Sequence, residues 1–549
     1  MSSENSIFKG MGTKLFSQTI LLLSIFLVQS VYAEAWVPTS KASRKETSFT
    51  MDYGGVSNDN DYFLHLSPNL SYNLNEEFGL SLSLPLNLLM LDNEPKLETS
   101  RTGQLREYDY NEAADYFRVI NYIWYGQYER EAPGKLTYSL YVGDIRDGRI
   151  GHGTIVNQYY NNVRFDVYNA GVLADFNSDY VGVQFFSNSL YSRDVNAARV
   201  YIKPLALGRL IYRLYNYITV EWEEEDEDDY EYIGMMQSRG NVVDEAGRKS
   251  VIEEVDPLKR KRRRPIPRQV SKYSKMEIEE NDAWYNRLTI GTTRSFDSNK
   301  PYDLQYSQTG IPTRQENRDL PIVAENGKVN IEGYDIEYRL LNMKYWEFTP
   351  YMDVNRIREL ENSGGTHYGF MARFGDKDIN VVFKPELRRM SSNYIPMYFD
   401  SFYEVERFHG NLTSTDPMIP KFRDAEGKPT SGGISGYFHT LLLNYYGYSL
   451  EASFEKYEGE RNSRIFLASY IPLGSNLTLS FFYTKKGFDG TGEAFKLDDA
   501  SLGAAELSLP IGPIQLRLQN LRRWTYTDGD PGFKSFDEQR ILMSSSFAL

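Results

Sequence analysis

The sequence predicts an all-β protein: a closed antiparallel transmembrane β-barrel of about 20 strands, within a range of about 18–22, with short periplasmic turns and long external loops. The first observation is the segment Phe78 to Met90, in which every even-numbered residue is large and apolar and most of those between are small or polar. Side chains of a strand alternate between two faces. About ten tilted residues of this kind cross the hydrocarbon of a membrane.

The second observation is a neighbouring segment with the same parity. Tyr62, Leu64, Leu66, Leu70, Tyr72 and Leu74 place apolar side chains on one face, and only Asn75 to Glu77 separate this run from the first. The two runs together predict a membrane β-hairpin. A lipid-exposed sheet cannot leave an open edge, so the sheet is expected to close.

The composition agrees with this class of fold. The 549 residues include 43 Tyr and 30 Phe, which suits the aromatic girdles of a membrane barrel. The chain has no Cys, which excludes disulfides, a lipoprotein cysteine and thiolate metal sites. The net charge of −14 argues against nucleic acid as a partner, since nucleic-acid binding needs a basic face.

The N-terminus has the pattern of a targeting segment. Lys9 and Lys14 precede an apolar stretch from Ile20 to Val28, and small residues then suit cleavage after Ala33. We therefore expect a signal peptide at 1–33, a periplasmic segment at 34–46 and the barrel at 47–549. An N-terminal membrane anchor is the alternative. Export without further apolar helices indicates the cell outer membrane.

Further alternating runs predict the remaining strands, and their connections are alternately short and long. The run from Leu210 to Trp222 is predicted as a strand after a short turn at Ala206–Gly208, whereas Trp284 to Arg294 breaks parity and is either part of an external hairpin or half of an unrecognised pair. The other runs begin at Leu136, Tyr334, Tyr368, Ile379 and Leu477.

One low-complexity insertion interrupts the barrel at 223–282, and we expect it to be a charged external loop. It joins a nearly all-acidic run, Glu221 to Asp229, to a basic one. Blocks of like charge usually stay solvated and disordered. Alternatively, the basic run binds polyanions such as lipopolysaccharide or host glycans, or pairs with the acidic run. The basic run consists of Lys259, Arg260, Lys261, Arg262, Arg263 and Arg264.

The sequence offers little for catalysis. None of the five His forms a metal-binding pair at the usual spacing, and the glycine-rich Gly432–Gly436 lacks the spacing and helix of a nucleophile elbow. We expect no enzyme activity, no metal and no cofactor.

Two segments have compositions that could serve a function other than catalysis. The first leaves a strand at Gly143 and, folded inward, would form a pore constriction with opposed charges; its alternative is a glycine-rich surface turn. The second, Tyr394 to Phe408, contains six aromatic residues and could stack a sugar or hold an apolar solute. Its alternative is a loop packed on itself or an interface girdle. The constriction residues would be Asp144, Arg146, Asp147, Arg149 and His152.

The C-terminus carries the last signal. Ile541, Met543 and Phe547 share one face of a final strand, although the chain ends in Leu549 rather than an aromatic residue. The chain as a whole resembles a Gram-negative outer-membrane β-barrel protein, porin-like in composition. This resemblance rests on pattern, and no narrower family is indicated.

The resemblance implies a channel for small hydrophilic solutes, with outer-membrane lipid, lipopolysaccharide and the barrel-assembly machinery as partners. Two other functions stay open: a surface binding or adhesion barrel with a plugged lumen, and a lipid-modifying barrel enzyme using a Ser/His pair around His152 or His439. Inward positions expected to line the lumen are Asn87, Glu337, Arg339, Lys384, Glu386 and Arg388.

Overall fold

A computed structural model describes most of the chain from residue 47 onward. The described residues are 47–58, 61–75, 77–93, 102–126, 136–164, 167–219, 222–223, 242–243, 249–250, 264–265, 284–315, 320–343, 345–376, 379–412, 418–428, 432–473, 477–526 and 533–548. The predicted signal peptide, its cleavage site and the periplasmic segment 34–46 lie outside them, as do Lys259 to Arg263 of the basic run.

Twenty strands of the described chain form one antiparallel sheet, which confirms the predicted fold class and strand number. Two of the strands, β3 and β10, are each interrupted once. The strands are β1 Ser48–Asn58, β2 Asp61–Asn75, β3 Phe78–Ser83 with Leu86–Leu91, β4 Ile120–Gly126, β5 Thr137–Gly143, β6 Gly171–Asn177, β7 Val181–Ser187, β8 Val195–Ile202, β9 Leu288–Leu304, β10 Val323–Tyr338 with Leu341–Met343, β11 Trp346–Ile357, β12 Gly364–Gly375, β13 Ile379–Ser391, β14 Gly433–Tyr445, β15 Tyr448–Tyr457, β16 Ser463–Leu473, β17 Leu477–Phe488, β18 Ser501–Ile511, β19 Ile514–Tyr526 and β20 Phe533–Ala548.

The sheet closes on itself. Each strand pairs with the next along the chain, and β1 pairs with β20 over ten residue pairs from Ser48↔Ala548 to Ser57↔Gln539. We call this β1–β20 ladder the seam. Closure gives every strand a partner on both sides, so the sheet presents no unpaired edge to lipid.

Alternation along each strand separates an apolar outer face from a polar inner face. On β10, Tyr334 and Ile336 are 60% and 43% exposed, whereas Asp335 between them is buried. The same holds across β13, where Leu387 is exposed while Glu386 and Arg388 are fully buried. Large apolar side chains on the outside suit contact with lipid chains. The protein is therefore a transmembrane β-barrel of the outer-membrane type.

Proline interrupts β3 within the alternating run Phe78 to Met90. Pro85 has no N–H to donate, and the ladder with β2 breaks between Ser83 and Leu86. The two pieces keep the predicted parity because the break spans two residues, an even number.

The prediction of a strand from Leu210 to Trp222 is wrong. Residues Pro204–Thr219 form an α-helix, α1, which also replaces the predicted turn at Ala206–Gly208. Apolar residues recur there with helical as well as strand spacing, and Pro204 occupies the first position, where proline suits a helix. Over a run this short, the alternation of apolar residues does not distinguish the period of a strand from that of a helix.

The chain divides into two compact units: the barrel, and residues Pro204–Asn286. The second unit contains α1, the 3₁₀ turn Trp284–Asn286 and two short ladders. Trp222–Glu223 pairs with Arg264–Pro265, and Val242–Val243 pairs with Lys249–Ser250. Of Arg264 in the predicted basic run, only this backbone pairing is described.

The predicted external loop at 223–282 lies almost entirely outside the described residues, so its position stays a prediction. The chain leaves the barrel after β8 and returns at β9, and both of these strand ends lie with the short turns, such as 178–180 and 512–513. The run that began at Trp284 forms a 3₁₀ turn at Trp284–Asn286 and then enters β9 at Leu288, and β9 pairs with β8 and β10.

The remaining helices are short and lie in the long connections. They are α2 Tyr403–Glu406, α3 Lys421–Glu426, α4 Thr491–Ala494 and the 3₁₀ turns Glu107–Asp109 and Asp115–Val119. None of the helices in the described residues is long and apolar enough to cross a bilayer.

Candidate functional site

Two long connections fold against the inner face of the barrel. We call residues 144–170, between β5 and β6, the first inner loop, and residues 392–432, between β13 and β14, the second inner loop. Their backbones pair directly: the Phe399 N–H donates to the Ile155 carbonyl at 3.1 Å, and the Asn157 N–H donates to the Phe399 carbonyl at 3.1 Å. The two loops are therefore one joined structure inside the barrel.

An apolar core holds the inner loops together. Val156, Tyr159, Phe399 and Tyr403 are each at most 1% exposed and belong to the same cluster of buried side chains. Tyr394 and Tyr398 of the aromatic segment also belong to this core, and Phe402 and Phe408 belong to a second cluster, which agrees with the interpretation of a loop packed on itself. An interior of this kind is close-packed, so the loops act as a solid body rather than as open chain.

His152 fixes the first inner loop to two neighbouring strands. Its Nδ1 lies 2.7 Å from Asp353 Oδ1 on β11, and its Nε2 lies 2.9 Å from Glu337 Oε2 on β10. The ring also stacks on Tyr351, with centroids 4.0 Å apart. Both ring nitrogens can donate to carboxylates only in the imidazolium form.

The charge state of His152 follows from this arrangement. Burial opposes a positive ring, but the carboxylates of Asp353 and Glu337 outweigh it and raise the pKa of His152 to about 9. His152 itself lies in the first inner loop and not in a strand. At neutral pH the loop is therefore held to the wall by a charged contact.

Neighbouring residues add to this attachment. Thr154 Oγ1 donates to Asp353 Oδ2 at 2.7 Å, and the Lys384 ammonium on β13 donates to the main-chain oxygen of His152. Gly151, at a φ of 56°, donates its N–H to Gln184 on β7 at 2.9 Å. Contacts on β7, β10, β11 and β13 spread the attachment over a wide part of the wall.

Two further residues of the first inner loop, Arg149 and Gln158, contact strands further round the barrel. Arg149 Nη2 donates to Glu451 Oε1 on β15 at 2.7 Å, and to Asp147 at 2.9 Å. Gln158, with a φ of 52°, donates to Glu451 at 3.0 Å and accepts from Arg464 on β16 at 3.1 Å. The loop thus extends across the inner space from β7 to β16.

The second inner loop is fixed by buried charges. Asp400 Oδ2 lies 2.6 Å from Lys486 Nζ and 3.3 Å from Arg464 Nη1. Burial raises the pKa of Asp400, but these cations and Lys421 outweigh it and hold the pKa below its ordinary value. The carboxylate therefore stays ionised between the loop and strands β16 and β17.

The opposite part of the inner wall is open. A cavity of about 430 Å³ lies at the short-turn end, between β1–β4 and β18–β20. Its lining is mainly hydroxyl and amide side chains, which suit water and hydrophilic solutes. These side chains are Ser48, Thr50, Ser71, Asn73, Ser81, Asn121, Gln515, Ser544 and Ser546.

Charges of both signs stand on this part of the wall and are paired. Arg517 on β19 lies 3.0 Å from Glu506 and 3.4 Å from Asp52. Glu538 on β20 pairs with Arg540 at 2.5 Å and with Arg523 at 3.1 Å. Because these opposite charges are paired, they produce little net electrostatic field that could attract an anion or a cation.

The structure brings the five constriction candidates into one loop but gives them different partners. Arg146 and Asp144 form a pair at 2.5 Å, Arg149 and Asp147 form a pair at 2.9 Å, and His152 bridges two strands. Their role in a constriction stays a prediction.

The six residues expected in the lumen all lie on the inner face. Asn87 bonds His65 and Asp109, Arg339 pairs with Glu347 at 3.3 Å, and Arg388 pairs with Glu386 and Glu455. Glu337 and Lys384 contact His152, as described above. Whether they line a solute path stays a prediction.

Sequence reasoning missed Asp353, Gln158 and Glu451, which fix the first inner loop. Parity places Asp353 and Glu451 on the inner face, and that was the only available signal. Neither of the histidines considered for lipid chemistry is held by a serine: His152 is held by carboxylates, and His439 stacks on Phe383.

Comparisons with known proteins find remote likeness only. No family model matches the chain, and no curated protein matches it. Among solved structures, the siderophore receptor PirA of Acinetobacter baumannii has a TM-score of 0.32 and 8% identity over 92% of this chain and 81% of that one.

Two Pseudomonas aeruginosa structures are similar to the same extent. OccK5 (OpdH) has a TM-score of 0.29 and 9% identity over 92% of this chain and 98% of its own. OccK2 (OpdF), solved in complex with glucuronate, has a TM-score of 0.29 and 8% identity over 92% of this chain and 96% of its own. The fold assignment rests on the strand pairing and not on these values.

Proposed function

We propose that this protein is an outer-membrane channel for small hydrophilic solutes, narrowed by its two inner loops. The observation that carries the proposal is the division of the barrel interior. One part is occupied by the joined loops, and the other contains a polar cavity of about 430 Å³. A barrel of this strand number is wide enough to hold both folded loops and an aqueous path.

Asp144 and Arg146 would form the loop side of the constriction. On the wall, Arg517 and Arg523 carry positive charges that repel that of Arg146. Asp147, Arg149 and His152 would act by holding the loop, because their charges are used in contacts with one another or with strands. Because the wall charges are paired, we expect weak preference between cations and anions.

The direct test is to shorten the first inner loop without disturbing its base. Gly148 and Tyr159 form an antiparallel bridge, with N–H to carbonyl distances of 2.9 and 3.1 Å in the two directions. Residues 149–158 can therefore be replaced by a Gly-Ser link between these two positions. A matched control removes the exposed tip 308–310, which lies between the hydrogen-bonded Ser307 and Ile311.

In planar bilayers we expect stable open-channel steps for the wild type and the tip control. Loop shortening should raise the step size at least about twofold, because a wider aqueous path carries more current. Equal steps in all three would contradict the assigned constriction. No steps in any of them would contradict the channel and favour the alternative of a binding barrel with a plugged lumen.

A further inference from the structure

The helix α1 has two chemically different sides. At 100° per residue, Leu207, Ile211, Leu214 and Tyr215 fall within an arc of about 100°, while the polar residues of the helix fall opposite. Those polar residues are Arg209, Arg213 and Asn216. The segment Pro204–Thr219 contains no Asp or Glu.

Three side chains on the apolar side of α1 are exposed, and Arg209 on its polar side contacts the 3₁₀ turn of the same unit. Ile211, Leu214 and Tyr215 are 59%, 51% and 63% exposed. On the other side, the Arg209 guanidinium lies 4.2 Å from the ring centroid of Tyr285 in the turn Trp284–Asn286. A helix in water normally buries its apolar side and exposes its polar side, so this arrangement calls for an apolar covering.

We propose that α1 lies on the phospholipid surface of the membrane, with its apolar side in the boundary between headgroups and acyl chains. The first argument is chain continuity. Val200 and Ile202 are exposed on the outer, lipid-facing side of β8, and only Lys203 separates Ile202 from the first residue of the helix. The helix therefore begins where a membrane-spanning strand ends.

The second argument is charge. Lys203, Arg209 and Arg213 give the segment 203–219 three positive groups and no negative one. Helices that bind at the membrane interface combine such a basic polar face with Leu, Ile and aromatic residues on the other. Tyr212 and Tyr215 are both more than 60% exposed, and tyrosine is enriched at headgroup depth. Anionic phospholipid is the occupant that these features fit.

This inference rests on the barrel fold and not on solute transport. A second copy of the chain, or another protein, would also cover an apolar side but would not require the excess of basic residues. The experiment separates these occupants.

The absence of Cys from the chain allows one label per molecule. The mature protein would be placed as single copies in nanodiscs of phosphatidylethanolamine and phosphatidylglycerol. A nitrobenzoxadiazole label would be attached in turn to Ile211→Cys, Leu214→Cys and, as the polar-side control, Asn216→Cys. Quenching by brominated lipid and by aqueous iodide would be measured, with heat-modifiable gel migration confirming that each variant folds.

We expect lipid quenching at 211 and 214 to exceed that at 216 at least about twofold, with iodide quenching in the reverse order. Replacing phosphatidylglycerol by phosphatidylcholine should lower the lipid quenching at 211. Equal access of water to all three positions would overturn the proposal. Protection of 211 and 214 from both quenchers would also overturn it, since protein and not lipid would then cover the helix.

Discussion

At the scale of single residues, His152 is the contact on which the first inner loop depends most. A carboxylate faces each ring nitrogen, and the side chain is 12% exposed. The acidic partners come from two strands, while Lys384 approaches the main-chain oxygen of the same residue from a third. The attachment of the first inner loop to the wall therefore depends on the protonation state of one side chain, that of His152.

The pH dependence of this contact has a definite sign. The ordinary pKa of His is 6.5 and the folded value is about 9, so the stabilisation is fully present below pH 6.5 and is lost as the pH rises through 9. We expect single-channel recordings of the wild type to become noisier, with larger steps, between about pH 8 and pH 10. The His152→Asn variant should show this behaviour at neutral pH, without a further change on raising the pH.

The expected cost of His152→Asn is about 3 kcal/mol of loop attachment, because the buried Asp353 and the partly buried Glu337 both lose their cationic partner. His439→Asn is the matched control, since that residue stacks on Phe383 away from the loop. If the wild type and His152→Asn respond to pH in the same way, another group controls the change and the assignment is wrong.

At the scale of elements, strand prediction succeeded where side-chain period alone decides the structure. Phe78 to Met90 and Tyr334 to Leu340 alternate strictly, and lipid on one side and water on the other leave only one orientation. Alternation failed for Leu210 to Trp222, because a run that also has helical spacing satisfies both periods. There the helix forms just beyond the end of β8, outside the barrel ladder.

The site was only partly predictable for a different reason. The constriction segment was found from its local mixture of Gly, Arg, Asp and His. Its partners could not be found, because Asp353 and Glu451 lie about 200 and 300 residues from the His152 and Arg149 that they bind. Such pairs depend on how the barrel closes, which no local pattern encodes.

The joined inner loops should open together if their shared core is disrupted. Val156 is fully buried and bridges Phe399, so Val156→Asp would place a charge in this core at a cost of at least about 3 kcal/mol. Limited proteolysis of the variant in detergent should produce cuts in both 144–170 and 392–412. The control Tyr191→Asp, at a 56% exposed position, should resist like the wild type.

Cuts in only one loop would show that the loops are independent, contrary to the backbone pairing. Cuts in neither would show that the loops are held by their wall contacts alone.

At the scale of the whole molecule, the barrel depends on the seam between its first and last strands. Two adjacent glycines in β1 give a matched pair there. A Cβ on Gly54 would lie 1.9 Å from the main-chain oxygen of Ile541 on β20, whereas a Cβ on Gly55 would have nothing within 4 Å. A side chain is therefore sterically excluded at position 54, whereas position 55 has room for one.

We expect Gly54→Ala to lower barrel stability by about 2 kcal/mol, because the backbone of the seam must shift to admit the methyl group. Gly55→Ala should have little effect. The heat-modifiable band on gels, followed against temperature, would measure both. Equal effects of the two substitutions would contradict the register of the seam.

Closure itself can be measured by cross-linking, since the chain has no native Cys. Tyr53 of β1 faces Met543 of β20, and Met543 in turn faces Leu516 of β19. The double variant Tyr53→Cys/Met543→Cys should form a disulfide in the outer membrane, because facing residues of paired strands lie within disulfide reach. The control Tyr53→Cys/Leu516→Cys, two strands apart, should not. A disulfide in the control alone, or in neither variant, would contradict a closed barrel.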